Sequence, residues 1–126
     1  DGASSSNNLD MLEHMKNTAL LQKAWREDPS QMPLDELFAS ATVNGARALG
    51  VDGGVLREGA VADLFLVNLD HVAFLSPAPV LANLIYAAHS DVITDVMCQG
   101  RWVMRNREIP GEADILSNAR RLTAQI

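Results

Sequence analysis

Leu9, Leu12, Met15, Ala19 and Leu20 recur near 3.6-residue spacing and predict an amphipathic helix. Ahead of them stands Asp1-Gly2-Ala3-Ser4-Ser5-Ser6-Asn7-Asn8, a run of small polar residues that favours a turn or loop. Asn7 or Asn8 is expected to cap the first turn, because a side-chain oxygen there accepts a free backbone N–H. Asp10 and Glu13 fall at the positive end of the helix dipole. The helix should run to about Arg26, with Asp28-Pro29 stopping it. A second helical stretch opens at Met32-Pro33, with Pro at the first helical position, and carries Leu37, Phe38, Ala41 and Thr42. Asn44-Gly45 is expected to interrupt it. Ala46–Leu49 then reads as a short helix ended by Gly50.

From residue 51 the pattern changes. Gly53-Gly54 and Gly59 mark turns, and Val55-Leu56 and Ala62–Asn68 form a β-rich run. Pro77 and Pro79 punctuate the next loop, and Val80–Ala88 reads as a short buried helix. Val92–Cys98 and Arg101–Arg105 are predicted strands joined at Gln99-Gly100, a hairpin turn. Pro110-Gly111 breaks the chain again, and Ala113, Leu116, Ala119 and Leu122 suggest a closing helix. No internal repeat is visible. Helices, then short strands with one helical insert, then a final helix read as α+β, or as the joint between two structural units.

Composition narrows the function classes. A length of 126 residues gives a prior of one domain with a modest core. Apolar residues make up 48% and charged residues 21%, which argues for a globular protein rather than a disordered one. No apolar run approaches the ~20 residues of a membrane span, and no charged-then-apolar leader is expected. The net charge of −6 counts against nucleic acid or an anionic membrane as partner, since both need a basic face. Cys98 is alone, so it forms no internal disulfide and no multi-cysteine zinc site. A cytoplasmic location and a buried, structural thiol are expected.

Candidate chemistry is sparse. His14, His71 and His89 share no i, i+2 or i, i+4 spacing that would aim two of them at one ion, so surface or packing roles are expected. Ser4, Ser5 and Ser6 lack a Gly-x-Ser-x-Gly setting, and turn or capping hydrogen bonds are the better reading. Gly50-Val51-Asp52-Gly53-Gly54 matches neither the dinucleotide fingerprint nor a P-loop. Asp1 is the informative residue. An acid, a Gly, a polar loop and a capped helix are what a strand-end carboxylate at the mouth of a βα unit looks like, and strand C-terminal ends carry the active site in a barrel of such units.

The segment Asp1 to Met11 resembles the stretch after the last barrel strand in the amidohydrolase superfamily. It looks most like the 5-methylthioadenosine/S-adenosylhomocysteine deaminases and the N-ethylammeline and triazine chlorohydrolases. The resemblance continues through Leu20-Leu21-Gln22-Lys23, Ala41 to Gly50, Glu58-Gly59 with Ala62-Asp63-Leu64, Leu84 to Ala88, and Val96 through Gly100-Arg101-Trp102-Val103. It covers nearly the whole chain, and the order and spacing of its pieces carry it.

The resemblance implies the C-terminal part of a metal-dependent (β/α)8 hydrolase barrel joined to a small β-sandwich. Residues 1–50 would be terminal barrel helices, 51–110 a β-sandwich segment with a short helical insert, and 111–126 a C-terminal helix. Asp1 would be the catalytic and metal-ligand Asp at the end of the eighth strand. One Zn²⁺ or Fe²⁺, held with histidines from earlier strands, would lower the pKa of a bound water, and Asp1 would help take its proton as the water attacks a ring carbon. Hydrolytic deamination of an adenosine-like nucleoside is the implied reaction of the parent. Alternatives are a chlorohydrolase or guanine-type deaminase on the same fold, or a non-catalytic α+β binding or oligomerisation module. The remaining ligands and the acid–base Glu would lie upstream, so this chain alone is expected to bind no metal and to be inactive. Small-molecule substrate is the implied partner of the parent. Leu12, Met15, Leu20, Leu37 and Phe38 are expected to lack the barrel strands they would cover, at about 1.5–3 kcal/mol for each side chain exposed. Self-association, or association with the missing barrel portion, would cover them.

Overall fold

A computed structural model describes Ser5 and residues 7–125. Helix α1, Met11–Arg26, starts at Asp10, whose carboxylate accepts the N–H groups of Leu12 at 2.9 Å and Glu13 at 3.3 Å. The cap is therefore Asp10 and not Asn7 or Asn8. Asn8 acts one step earlier, its side-chain oxygen accepting the Asp10 N–H at 2.7 Å. Leu9 thus falls outside the helix and is exposed. The far end closes as a Schellman motif, Glu27 N–H to Ala24 O and Asp28 N–H to Lys23 O, with Glu27 left-handed at φ +51°.

Helix α2, Leu34–Ala41, follows with Pro33 at its N-cap, one position ahead of the first helical turn. Helix α3, Val43–Ala48, contains Asn44 and Gly45, so these residues do not interrupt it. The break lies at Thr42, with φ −123° and ψ −98°. The cause is a close backbone approach. A Cβ on Gly54 would stand 2.6 Å from Thr42 C and Val43 N, so the glycine loop presses directly on the kink.

Three antiparallel strands form one sheet in the order β1-β2-β3: β1 is Leu64–Val67, β2 Ile93–Cys98 and β3 Arg101–Met104. Phe65 pairs with Val96 and Met97 with Trp102. The β2–β3 hairpin turns at Gln99 and Gly100 as expected, and both residues are left-handed, with φ +48° and +75°. Val55-Leu56 forms no strand. It lies in the loop ahead of β1, with Leu56 exposed. Between β1 and β2 the chain makes helix α4, Val80–Tyr86, flanked by two 3-10 turns at Val72–Phe74 and Ser90–Val92. Helix α5, Glu112–Thr123, closes the order, with no buried residue.

The core lies between α1, α2, α4 and the turns around α4. Leu12, Met15, Ala19, Leu37, Ala73, Leu84, Ile85, Ala88 and Val92 are its buried members. This corrects the expectation of an orphaned helical face. Leu12, Met15 and Leu37 are buried and Phe38 packs on them, because α4 and its flanking turns lie across α1 and α2. Leu20 alone of that set is exposed, at 49%. The uncovered apolar surface sits elsewhere, on Trp25, Phe65, Leu66, Trp102, Val103, Ile115 and Leu122. Cys98 is exposed, not buried, since it ends β2 beside the turn. Among the described residues no helix is long and apolar enough to cross a membrane.

Candidate functional site

Asp1, the residue singled out from the sequence, lies outside the described residues, as do Ser4 and Ser6. What the structure describes is how the chain just beyond them is anchored. Asn8 and Asp10 form successive side-chain turns, and the Asn8 amide also donates to Glu13 on the first turn of α1. His14 Nε2 lies 3.5 Å from Asn8 O. A contact distant in sequence completes the anchor: the Ser90 N–H donates to Asp10 Oδ2 at 3.2 Å. Partial burial pushes the Asp10 carboxyl up, but hydrogen bonds from Glu13, from the Ser90 side chain and N–H, and from Leu12 outweigh it and hold the group below its ordinary value.

Two apolar hollows adjoin one another, and one of them borders this anchor. The larger, about 500 Å³, is lined by Phe38, Thr42, Leu56, Leu64, Phe65 and Leu84. The smaller, about 230 Å³, lies against Asp10, Met11 and Ser90, and Phe38, Thr42 and Phe65 border both. Asp63 is the one charged side chain on the larger hollow, and it is already engaged, accepting the Gln99 N–H at 2.7 Å. Such walls suit the covering of apolar surface. They offer no nucleophile–base pair.

The histidines do not converge. His14 is on α1. His71 caps the first 3-10 turn, Nδ1 accepting the Ala73 N–H at 3.2 Å, and its Nε2 stands 3.6 Å from Asp91 Oδ2. His89 is exposed ahead of the second turn. Among the described residues no three of His, Cys, Asp and Glu come together in a way that would hold a metal ion, so these residues do not by themselves build a metal centre. Two further carboxylates are shifted without forming a site. Asp28 is held at about 2 by the Ser30 hydroxyl, the Gln31 amide and the Ser30 N–H. Asp95 is held below its ordinary value by Thr94, against the opposing effect of burial, with Asn106 and Arg105 assisting.

Sequence reasoning missed the Asp10–Ser90 contact and the buried Asn83. The first had a partial signal, an acid three residues ahead of Glu13 at a helix start. A partner eighty residues away leaves no local mark.

Comparison with known proteins gives the frame for these parts. The family model described as "Amidohydrolase family" matches residues 1–103. A 5'-deoxyadenosine deaminase of Methanospirillum hungatei is 43% identical over 120 residues, 95% of this chain and 27% of its own length. A 5-methylthioadenosine/S-adenosylhomocysteine deaminase of Archaeoglobus fulgidus is 42% identical, over 92% of this chain and 28% of its own. Among solved structures, an adenosine deaminase from Xanthomonas campestris with bound zinc superimposes with a TM-score of 0.92 at 34% identity, covering 99% of this chain and 29% of that one. An atrazine chlorohydrolase from Arthrobacter aurescens complexed with zinc gives 0.77 at 28% identity, covering 88% and 26%. The chain therefore spans about a quarter of the length of the relatives it matches. Helices and a three-stranded antiparallel sheet in this order make up the α+β C-terminal part of that fold, and with the family model matching four fifths of its residues the chain belongs to the amidohydrolase family.

Proposed function

We propose that the whole protein to which these residues belong is a metal-dependent hydrolase that removes ammonia from an adenosine-like nucleoside, with 5'-deoxyadenosine, 5-methylthioadenosine and S-adenosylhomocysteine as the substrates to try first. The observation that carries this is identity of 42–43% along almost the whole chain to proteins named for those deaminations. Halogen displacement from a triazine is the second reading, favoured by the zinc-bound chlorohydrolase neighbour at 28% identity. The higher identity to the deaminases ranks it second.

In this reading residues 1–50 belong to the barrel, 51–110 to the small β-sandwich, and 111–126 to a terminal helix. Asp1 is the proposed metal ligand and proton-handling carboxylate. The metal is zinc or iron, with zinc supported by the two zinc-bound neighbours. The described residues supply no further convergent ligands. This chain alone is accordingly proposed to be inactive and metal-free, and to associate with the rest of the protein through its apolar hollows. A single cysteine, with no disulfide partner in the chain, suits a cytoplasmic setting.

The test is expression of the complete reading frame, with ammonia release measured on the three nucleosides and chloride release on atrazine, beside metal analysis. Ammonia release that falls by more than about a thousandfold in Asp1→Ala, with loss of bound metal, is the expected result. Chloride release without ammonia release would promote the second reading. Turnover and metal content untouched by Asp1→Ala would overturn the role given to Asp1.

A further inference from the structure

Helix α5 has an apolar stripe and no buried residue. Ile115, Leu116, Ala119 and Leu122 fall at i, i+1, i+4 and i+7, which sets them on one face. Ile115, Leu116 and Leu122 are all exposed, so that face meets water. α5 lines neither of the apolar hollows through which the chain is proposed to meet the rest of the protein. Charge along the helix points to what covers it instead. Glu112, Leu116 and Arg120 follow at i, i+4 and i+8, one row along an edge of the stripe, with an acid at one end and a base at the other. The two charges stand about 12 Å apart along the axis, too far to pair with each other. Neither has an ion-pair partner among the described residues. The helix dipole accounts for acids in the first turn and bases in the last, as with Asp114 and Arg121 on the back of the helix. It does not require one of each in a single row with a leucine between them. That row is self-complementary. Laid antiparallel on a second copy about a two-fold axis through Leu116, the same edge meets itself, and Glu112 of each helix faces Arg120 of the other across a Leu116–Leu116 contact. A parallel pair would turn the row toward the opposite edge, where Ile115, Asn118 and Leu122 carry no charge.

We propose that α5 is a contact between two copies of the whole protein, each covering the other's stripe by antiparallel pairing, with Glu112 and Arg120 setting direction and register. A single pair of 12-residue helices falls short of the roughly 1,200 Å² of a standard interface, so the pairing should be reversible on dilution.

Sedimentation velocity on the whole protein and two charge-reversed variants, Glu112→Arg and Arg120→Glu, tests it, with melting temperatures read alongside. The wild type should show a mass that halves on dilution. Each variant alone sets like charge against like at both contacts, so its dissociation constant should rise by about tenfold or more and it should sediment at half the wild-type mass where the wild type is paired. Mixed in equal amounts, the two variants should regain the wild-type mass, because each supplies the charge that the other has lost. Mixing separates pairing from a merely structural effect, since a helix weakened by charges set against its dipole is not repaired by a second weakened helix. A mixture that stays at half mass would overturn the proposal. So would variants that keep the wild-type mass, or a wild type that stays monomeric at every concentration. Variants that melt lower with no change in mass would assign the stripe to the rest of the same polypeptide and would overturn it equally. No activity enters these readouts, so the outcome is independent of the nucleoside reading.

Discussion

Gly54 combines a φ of +73° with a would-be β-carbon 2.6 Å from the backbone of Thr42 and Val43. Neither obstacle can move aside, since the neighbour is backbone at a kink between two helices. Gly54→Ala should therefore lower stability by about 2–3 kcal/mol, read as a lower urea midpoint at constant slope. Gly59, also left-handed but with open space around it, should lose less on the same change. Asn83 is the second residue whose loss is specific. It is buried at 6% exposure, and its amide donates to Ser76 O at 3.1 Å and Ala78 O at 3.3 Å, tying the proline loop to α4. Asn83→Ala leaves those carbonyls without their donor and should cost about 1–3 kcal/mol in the same measurement. Neither residue stood out in the sequence. Gly53-Gly54 was legible as a turn, but what a turn presses against is set by the packing of distant segments.

Helix α1 is held at both ends by carboxylates, Asp10 at its start and Asp28 just past its end. Both are held below their ordinary range by hydrogen bonds that only the folded chain provides, Asp28 at about 2 against an ordinary 3.8. A carboxyl depressed by folding adds stability above its unfolded pKa and loses it as pH falls through the folded one. The stability of the protein should thus decline between pH 4 and 2, and Asp28→Asn should flatten part of that decline, seen in urea midpoints across the window. A parallel curve for Asp28→Asn and wild type would refute the assignment. The same helix shows how far periodicity reads. Against the expectation that Leu12 and Met15 would lack cover, these two residues and Ala19 were found buried, on the one face that 3.6-residue spacing gives them. Leu9 and Leu20 were not, because the start of the helix was set by Asp10 with help from Ser90, and the stripe that α4 covers is narrower than the apolar stripe in the sequence. The strands and the Gln99-Gly100 turn were legible for the complementary reason, short runs bounded by strong turn residues.

At the scale of the whole molecule, a small core and much uncovered apolar surface coexist. Nine hydrophobic residues are buried among the described residues, whereas Trp25 is 80% exposed and neither face of the sheet hides Phe65, Leu66, Trp102 or Val103. Helix α5 carries Ile115, Leu116 and Leu122 with none of them buried, and a helix of 12 residues is marginal in water without a packed face. The relatives this chain matches are about three and a half times as long. The sequence resemblance foresaw uncovered apolar surface, and Leu20 is indeed exposed, but Leu12, Met15, Leu37 and Phe38 are covered, since packing of α4 on α1 and α2 cannot be read from any one of the three. The expectation that follows is specific. The 126-residue chain alone should sediment as concentration-dependent oligomers and bind a hydrophobic dye, and Trp102→Lys together with Leu122→Lys should shift it toward monomer without lowering its stability in urea unfolding by more than about 0.5 kcal/mol, because surface changes of this kind leave the core intact. A dye-silent monomer at every concentration would mean that these side chains find cover within the chain itself.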